Sequence, residues 1–304
     1  MSIETRVIQP DMDKDIIVRA TAAGGFVRCF AATTRDMVEY ARGLHNTSPV
    51  ATAALGRTLT AAAMMGSMQK GEKELLTISI RGDGPMKGLT VTAGADSFVK
   101  GYPIVPDVVI PAKENGKLDV SGAIGHGYMT VVKDLGLKEP YVGQTELVSG
   151  EIAEDLTYYF ANSEQVPSSV GLGVLMNRNN TVRCAGGFII QLMPDAPDYV
   201  ITQLEANLGM FSSVTTVLDE GASAEDMLRM LTEPLELEIL DVIPTGYRCD
   251  CSRERVLKAI VSLGRDELAQ MAAEKQDIEV KCQFCDSVYR FPPSEIGEIL
   301  ADRF

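Results

Sequence analysis

Two close pairs of cysteines near the end of the chain, Cys249-Asp250-Cys251 and Cys282-Gln283-Phe284-Cys285, limit what this region can fold into. Each pair is a short chelate bite, and two such bites can place four sulfurs about 2.3 Å from one Zn²⁺ in a tetrahedron. The two histidines, His45 and His126, are far away in sequence, so a site here is expected to be all thiolate: Cys249, Cys251, Cys282 and Cys285. Two bite-sized spacings together argue against four unrelated buried thiols. Cys29 and Cys184 fall outside the pattern and are read as structural thiols inside strands.

The setting agrees with metal more than with disulfides. The N-terminus, Met-Ser-Ile-Glu-Thr-Arg, leads into no apolar run, so no signal peptide is expected and the chain is read as cytoplasmic. Thiols in that compartment stay reduced. The most apolar stretch, Pro49 to Gly66, is broken by Arg57 and three threonines and reads as a buried helix, with no membrane association expected. The 304 residues carry a net charge of −14, and from Cys249 onward 8 lysines and arginines face 11 aspartates and glutamates. Nucleic-acid binding needs a basic stripe to neutralise phosphates, so nucleic acid is excluded as a partner.

The pattern of apolar residues predicts an α+β fold: a mixed core domain over 1–193, a helical linker over 194–246 and a small Cys₄ zinc domain over 247–304. In the first part, strands Asp15–Thr21 and Phe26–Ala32 flank a turn. Helices follow over Arg35–His45, capped by Thr34, and from Pro49 to about Met68, capped by Ser48. The second of these is apolar nearly all round, so it should be central and packed on both sides. Strands are expected at Leu75–Arg81, Leu89–Ala93, Phe98–Tyr102, Leu118–Val120 and Tyr128–Val132. A helix over Glu151–Asn162 then precedes strands Ser169–Met176 and Val182–Leu192. The linker should hold short helices over Asp198–Leu208, Ser213–Glu220 and Ser223–Thr232, the last with a Ser223/Asp226 capping box. Helices this short are marginal unless their apolar faces are packed. The cysteine region should contain a helix capped by Ser252 running to Leu263, another from Asp266 to about Lys275, and strands Ile278–Lys281 and Val288–Phe291.

A domain of fewer than about 70 residues seldom stabilises itself by core burial alone. Structural zinc supplies an apparent ~10–16 kcal/mol to small fingers at neutral pH. On the residues alone, a passive zinc clamp and a redox switch share the same spacing. Cys282-x-x-Cys285 also suits a thiol–disulfide oxidoreductase, although that chemistry wants a strand-to-helix setting and this pair lies between strands. Ser67-Met68-Gln69-Lys70 fits S-x-x-K but lacks the companion motifs of a serine acylase. Gly122 to Gly127 leads into a strand and offers no helix N-terminus to a phosphate. No enzymatic activity is expected.

"GYRCDCSRERV" followed by "VKCQFCDSVYRF" resembles the zinc-binding end of the heat-shock protein 33 family, the redox-regulated holdase chaperones of bacteria. "EYARGLHNTSPVATAALGRTLTAAAMM", "YVGQTELVSGEIAEDLTYYFANSEQVPSSVGLGVL" and "AGGFIIQLMPDAP" resemble the same family in its order, so the likeness spans essentially the whole chain. The resemblance implies one Zn²⁺ on Cys249, Cys251, Cys282 and Cys285 in the reduced, inactive state. It implies Cys249–Cys251 and Cys282–Cys285 disulfides, metal release and an opened linker after oxidation. It also implies binding of unfolding client proteins without ATP, and an active homodimer. Loops of three and four residues stabilise by only about 1.5–2 kcal/mol each in the chain-entropy model. Oxidation would then replace one strong long-range clamp by two weak local ones. A constitutive interaction module with purely structural zinc remains the reading in which the switch is absent.

Overall fold

The computed structural model describes residues 15–274 and 276–303. The fold is mixed α and β, divided into two compact units that meet in the chain between Arg248 and Cys249.

The first unit is built on two sheets. Strands β1 (Ile16–Ala22) and β2 (Val27–Thr33) form a hairpin around a 3₁₀ turn at Ala23–Gly25. With β8 (Ser168–Met176), β9 (Val182–Leu192) and β10 (Glu238–Pro244) they make an antiparallel sheet in the order β10-β1-β2-β9-β8. The second sheet holds β3 (Leu75–Gly82), β4 (Gly88–Gly94), β5 (Phe98–Pro103), β6 (Gly127–Asp134), β7 (Tyr141–Glu146) and the two-residue β11 (Gly246–Tyr247). Its order is β11-β5-β4-β3-β6-β7, antiparallel except for β11 on β5.

Between the sheets runs α2 (Pro49–Gly66), packed against strands of both. From Val50 to Gly66 every residue but Arg57 is buried. Alanine and glycine let the neighbours come close: a Cβ at Gly56 would lie 2.6 Å from Val38 Cγ1 and 2.9 Å from Val174 Cγ2. The buried threonines are satisfied within the protein. Thr58 and Thr60 donate to the carbonyls of Ala54 and Gly56, and Thr60 also bonds Thr34. Arg57, the one charge, pairs with Glu151 at 2.7 Å.

The period-2 alternation of the first sheet feeds two separate apolar clusters. Ile17, Phe30, Ala32 and Ile189 face α2. Val18, Ala20, Val27, Cys29, Ala31, Phe188 and Ile190 face the other way, under α5 (Asp198–Met210), α6 (Val214–Asp219) and α7 (Ala224–Thr232). These helices bury Val200, Leu204, Val214, Val217, Met227, Leu228 and Leu231 there. The Ser223/Asp226 capping box forms as expected.

Several local expectations are corrected. Helix α1 (Arg35–His45) has Thr34 at its N-cap position, but the Thr34 hydroxyl is spent on Thr60. The free amides of Asp36 and Met37 are accepted instead by the buried carboxylate of Asp15, at 3.2 and 2.6 Å. Ser48 likewise leaves its own helix uncapped and accepts from the Val108 amide. The strand expected at Leu118–Val120 does not form: Leu118 and Asp119 lead irregularly into α3 (Val120–Ile124), because the Asp119 carboxylate accepts from the Gly122 amide and turns the chain into a helix. The helix expected over Glu151–Asn162 is α4 (Ala153–Tyr159) continued by a π turn over Phe160–Glu164. Strands β7, β10 and β11 were not anticipated.

The second unit contains α8 (Arg253–Val261), α9 (Arg265–Ala272), the hairpin β12 (Ile278–Lys281) and β13 (Val288–Phe291), and α10 (Pro293–Arg303). Ser252 caps α8 by accepting from the Arg255 amide. Helix α9 is capped from Gly264, whose amide donates to Glu267, and not from Asp266; it ends at Ala272, and Lys275 lies outside the described residues. Helix α10 was not anticipated.

Candidate metal centre

The four cysteines of the two pairs converge. Cys249 and Cys251 lie on the irregular segment just before α8, while Cys282 and Cys285 lie on the tight turn joining β12 to β13. That turn is held by the Cys282 amide donating to Ser287 O and the Asp286 amide donating to Cys282 O, both at 2.9 Å, with Asp286 in the left-handed region. All four Sγ atoms lie within 4.8 Å of one another. Cys249 and Cys282 are 3.8 Å apart, Cys251 and Cys285 3.2 Å. Tetrahedral thiolates on bonds of about 2.3 Å are separated by about 3.8 Å, so the donor set fits one ion of zinc's size. Among the described residues this is the one cluster of His, Cys, Asp or Glu with that geometry.

The electrostatics point the same way. The Cys282 sulfur is pulled down to about 5, first by its hydrogen bond with the Cys249 thiol and further by the amides of Phe284 and Cys285. Cys249, the donor in that bond, is pushed up by it and by burial. Burial pushes Cys251 up to about 11. Crowded thiols therefore cannot all ionise on their own; a divalent cation in their midst is what lets every member become a thiolate. Two neighbours were not legible in the spacing: Tyr289 Oη lies 3.0 Å from Cys251 Sγ, and Ser287 Oγ 3.2 Å from Cys285 Sγ. Both contacts depend on how the hairpin folds back, although period 2 within β13 puts Tyr289 and Phe291 on one face.

The core that backs this site is small. Ile260, Leu268, Phe291 and Ile296 are its buried side chains. Arg253 stacks over the Phe291 ring with its guanidinium carbon 4.5 Å from the centroid and pairs with Glu295.

Other sequence signals do not assemble into sites. Cys29 is buried in β2 with its thiol pushed up to about 12 by burial, and Cys184 in β9 is pushed up to about 11, mainly by burial. The Ser67 hydroxyl donates to Met64 O at the end of α2. His126 stands in solvent on the turn before β6. No described helix is long and apolar enough to cross a membrane.

Comparison with known proteins places this architecture. The family model for Hsp33 protein matches residues 15–292. The "33 kDa chaperonin" of Lachnoclostridium phytofermentans is 58% identical over 94% of this chain and 98% of that relative. Those of Agathobacter rectalis and Clostridioides difficile are 52% and 50% identical over similar spans. A crystal structure of the 33 kDa chaperonin (heat shock protein 33 homolog) of Thermotoga maritima superposes with a TM-score of 0.86 at 37% identity, covering 95% of this chain and 99% of that one. The α+β core followed by a four-cysteine unit is thus that of a chaperone family. The chain belongs to the Hsp33 family.

Proposed function

We propose that the protein is a redox-regulated, ATP-independent holdase, inactive when reduced and zinc-bound and active after oxidation. One observation carries the reading: four converging sulfurs tie together a unit whose own buried core amounts to four side chains. Zn²⁺, when bound, is held by Cys249, Cys251, Cys282 and Cys285 and cross-links the segment before α8 to the β12–β13 turn. All-sulfur tetrahedral donors favour zinc over harder ions.

Under peroxide, the thiolates of Cys249 with Cys251 and of Cys282 with Cys285 each give up two electrons per pair. Each pair becomes a disulfide, and each peroxide takes two protons from solvent and leaves as two waters. The sulfurs are then no longer thiolate ligands, and neither bridge joins the two segments that the metal had joined. The unit beginning at Cys249 unfolds, and unfolding passes along the chain into the linker, residues 194–246. Release of α5–α7 uncovers the face formed by Val18, Ala20, Val27, Ala31, Phe188 and Ile190, an apolar surface suited to unfolding client proteins. The active form is a homodimer acting in the cytoplasm.

The test follows zinc with a chromophoric chelator while hydrogen peroxide is added to the reduced protein at elevated temperature, with client aggregation measured on the same samples. One zinc leaving in step with the appearance of holdase activity supports the switch. Zinc that stays, or leaves without activity, reduces the centre to a structural clamp. Catalytic reduction of insulin through Cys282 and Cys285 would instead make the protein an oxidoreductase.

A further inference from the structure

The linker whose opening is proposed above includes β10, and the sheet edge beneath β10 differs from the edge that β10 itself presents. On its outer side β10 carries the devices that blunt an edge: Glu238 and Asp241 are exposed, and the strand ends on Pro244. The register slips between Arg19 and Ala20, leaving Leu240 without an opposite residue. Five of its seven residues are exposed. It is fastened at its ends by the Ala23 amide donating to Leu235 O and the Thr245 amide donating to Asp15 O.

β1 has fewer of these devices, a single charge at Arg19. Its sequence, Ile-Ile-Val-Arg-Ala-Thr-Ala, contains no proline, glycine or acidic side chain. It pairs with β2 over seven consecutive positions without a slip, and its side chains enter the apolar clusters on both faces of the sheet. Stripped of β10, it would be a straight, mostly apolar edge guarded only by Arg19 and held by β2, the kind that recruits another strand.

We infer that β1 is a client-binding edge: when the linker opens, an extended apolar segment of the unfolding client adds to β1 as an antiparallel strand in the place of β10. The inference rests on the linker opening proposed above and specifies how the client is held. The present occupant defines the chemistry of the next. Ile239 and Ile243 are half-buried where they meet the two clusters, Leu240 and Val242 point away, and Asp241 lies opposite Arg19 with an ion pair of 3.4 Å. The seat therefore takes aliphatic side chains opposite Ala20 and Ile17, and an acidic or neutral residue opposite Arg19, disfavouring a basic one. Main-chain hydrogen bonds supply most of the attachment in strand addition, so capture of this kind is broad in sequence, as a holdase requires.

The test places photoreactive benzoylphenylalanine at position 19 of the full-length protein, and in a second variant at position 21. Each variant is first checked for zinc content and for holdase activity on oxidation. In the reduced state irradiation should join the probe to residues 238–244. In the oxidised state, with a heat-unfolding client present, that internal product should fall and be replaced by adducts to extended apolar segments of the client. Suppression of aggregation with the probe still joined to 238–244, or with no client adduct at either position, would overturn the inference and leave the holdase reading standing. Oxidised protein with no holdase activity, wild type included, would overturn both.

Discussion

Leu228→Ala tests whether the packing of α7 restrains the reduced protein. Leu228 is fully buried in the cluster between α5–α7 and the first sheet. Truncating such a leucine costs about 2–5 kcal/mol from lost burial and the cavity left behind. If the whole cost falls on the docked state of the helices, their opening equilibrium rises roughly 30-fold to 4,000-fold. Arg229, the next residue, supplies a trypsin site within α7. Cleavage after Arg229 in reducing buffer should therefore accelerate by at least the lower factor, and holdase activity should appear without oxidant while zinc stays bound. Met230, two residues on and half-exposed, is the control: Met230→Ala should change the rate by less than about threefold, within the ±0.5 kcal/mol of a surface site. If Leu228→Ala resists trypsin as well as wild type does, the apolar cluster is not what holds the linker and the reasoning fails.

Three further outcomes are expected. Cys282→Ser leaves three thiolates and should release zinc to a weak chelator in reducing buffer, with the amides of 249–303 losing hydrogen-exchange protection; retained metal and unchanged protection would refute the dependence of the unit on its ligands. Burial raises the Asp15 carboxyl to about 6, against its amide bonds to Met37 and Asp36 and the nearby Arg35. A raised acid stabilises the fold below the unfolded pKa of about 4 and loses that contribution as pH rises through 6, so the stability of wild type relative to Asp15→Asn should fall by up to about 3 kcal/mol between pH 4 and 7. Parallel urea-stability profiles across that range would contradict it. Tyr247→Phe removes a hydroxyl that donates to Gly101 O at 2.8 Å, accepts from its amide at 3.2 Å and lies 3.3 Å from His45 Nε2. It should cost about 1–3 kcal/mol and speed exchange of the Gly101 amide; unchanged exchange would mean that the hydroxyl does not help to hold β11 on β5.

The metal centre was legible because chelate bites are local: four ligands can be read from two spacings. Its supports were not, since Tyr289 reaches Cys251 only through the hairpin and α10 completes the small core from outside the motif. Helix α2 was legible because apolar residues all round it admit only a central position. Strands β7 and β10 were missed for the opposite reason. Each lies at a sheet edge, where exposure weakens the apolar alternation, and β10 also carries a register slip. The capping rules failed where a distant partner won. Thr34 and Ser48 sit at cap positions, but their hydroxyls meet Thr60 and Val108, and the orphan amides of α1 go to Asp15. Local propensity names the positions; long-range hydrogen bonds decide their use.

The first sheet is a wall packed on both sides, with α2 on one and α5–α7 on the other. The two packings share backbone but few side chains, so shedding one face leaves the strands held by the other. The spent protein would keep a finished template, and its recovery after reduction would be a docking reaction on an existing surface. That step includes renewed pairing of β10 with β1, but the pairings of β1, β2, β9 and β8, which are the slow part of building the sheet, stay in place. A chaperone built this way would be reset by rebuilding only its four-cysteine unit and linker, with α2 and the remaining strands left standing.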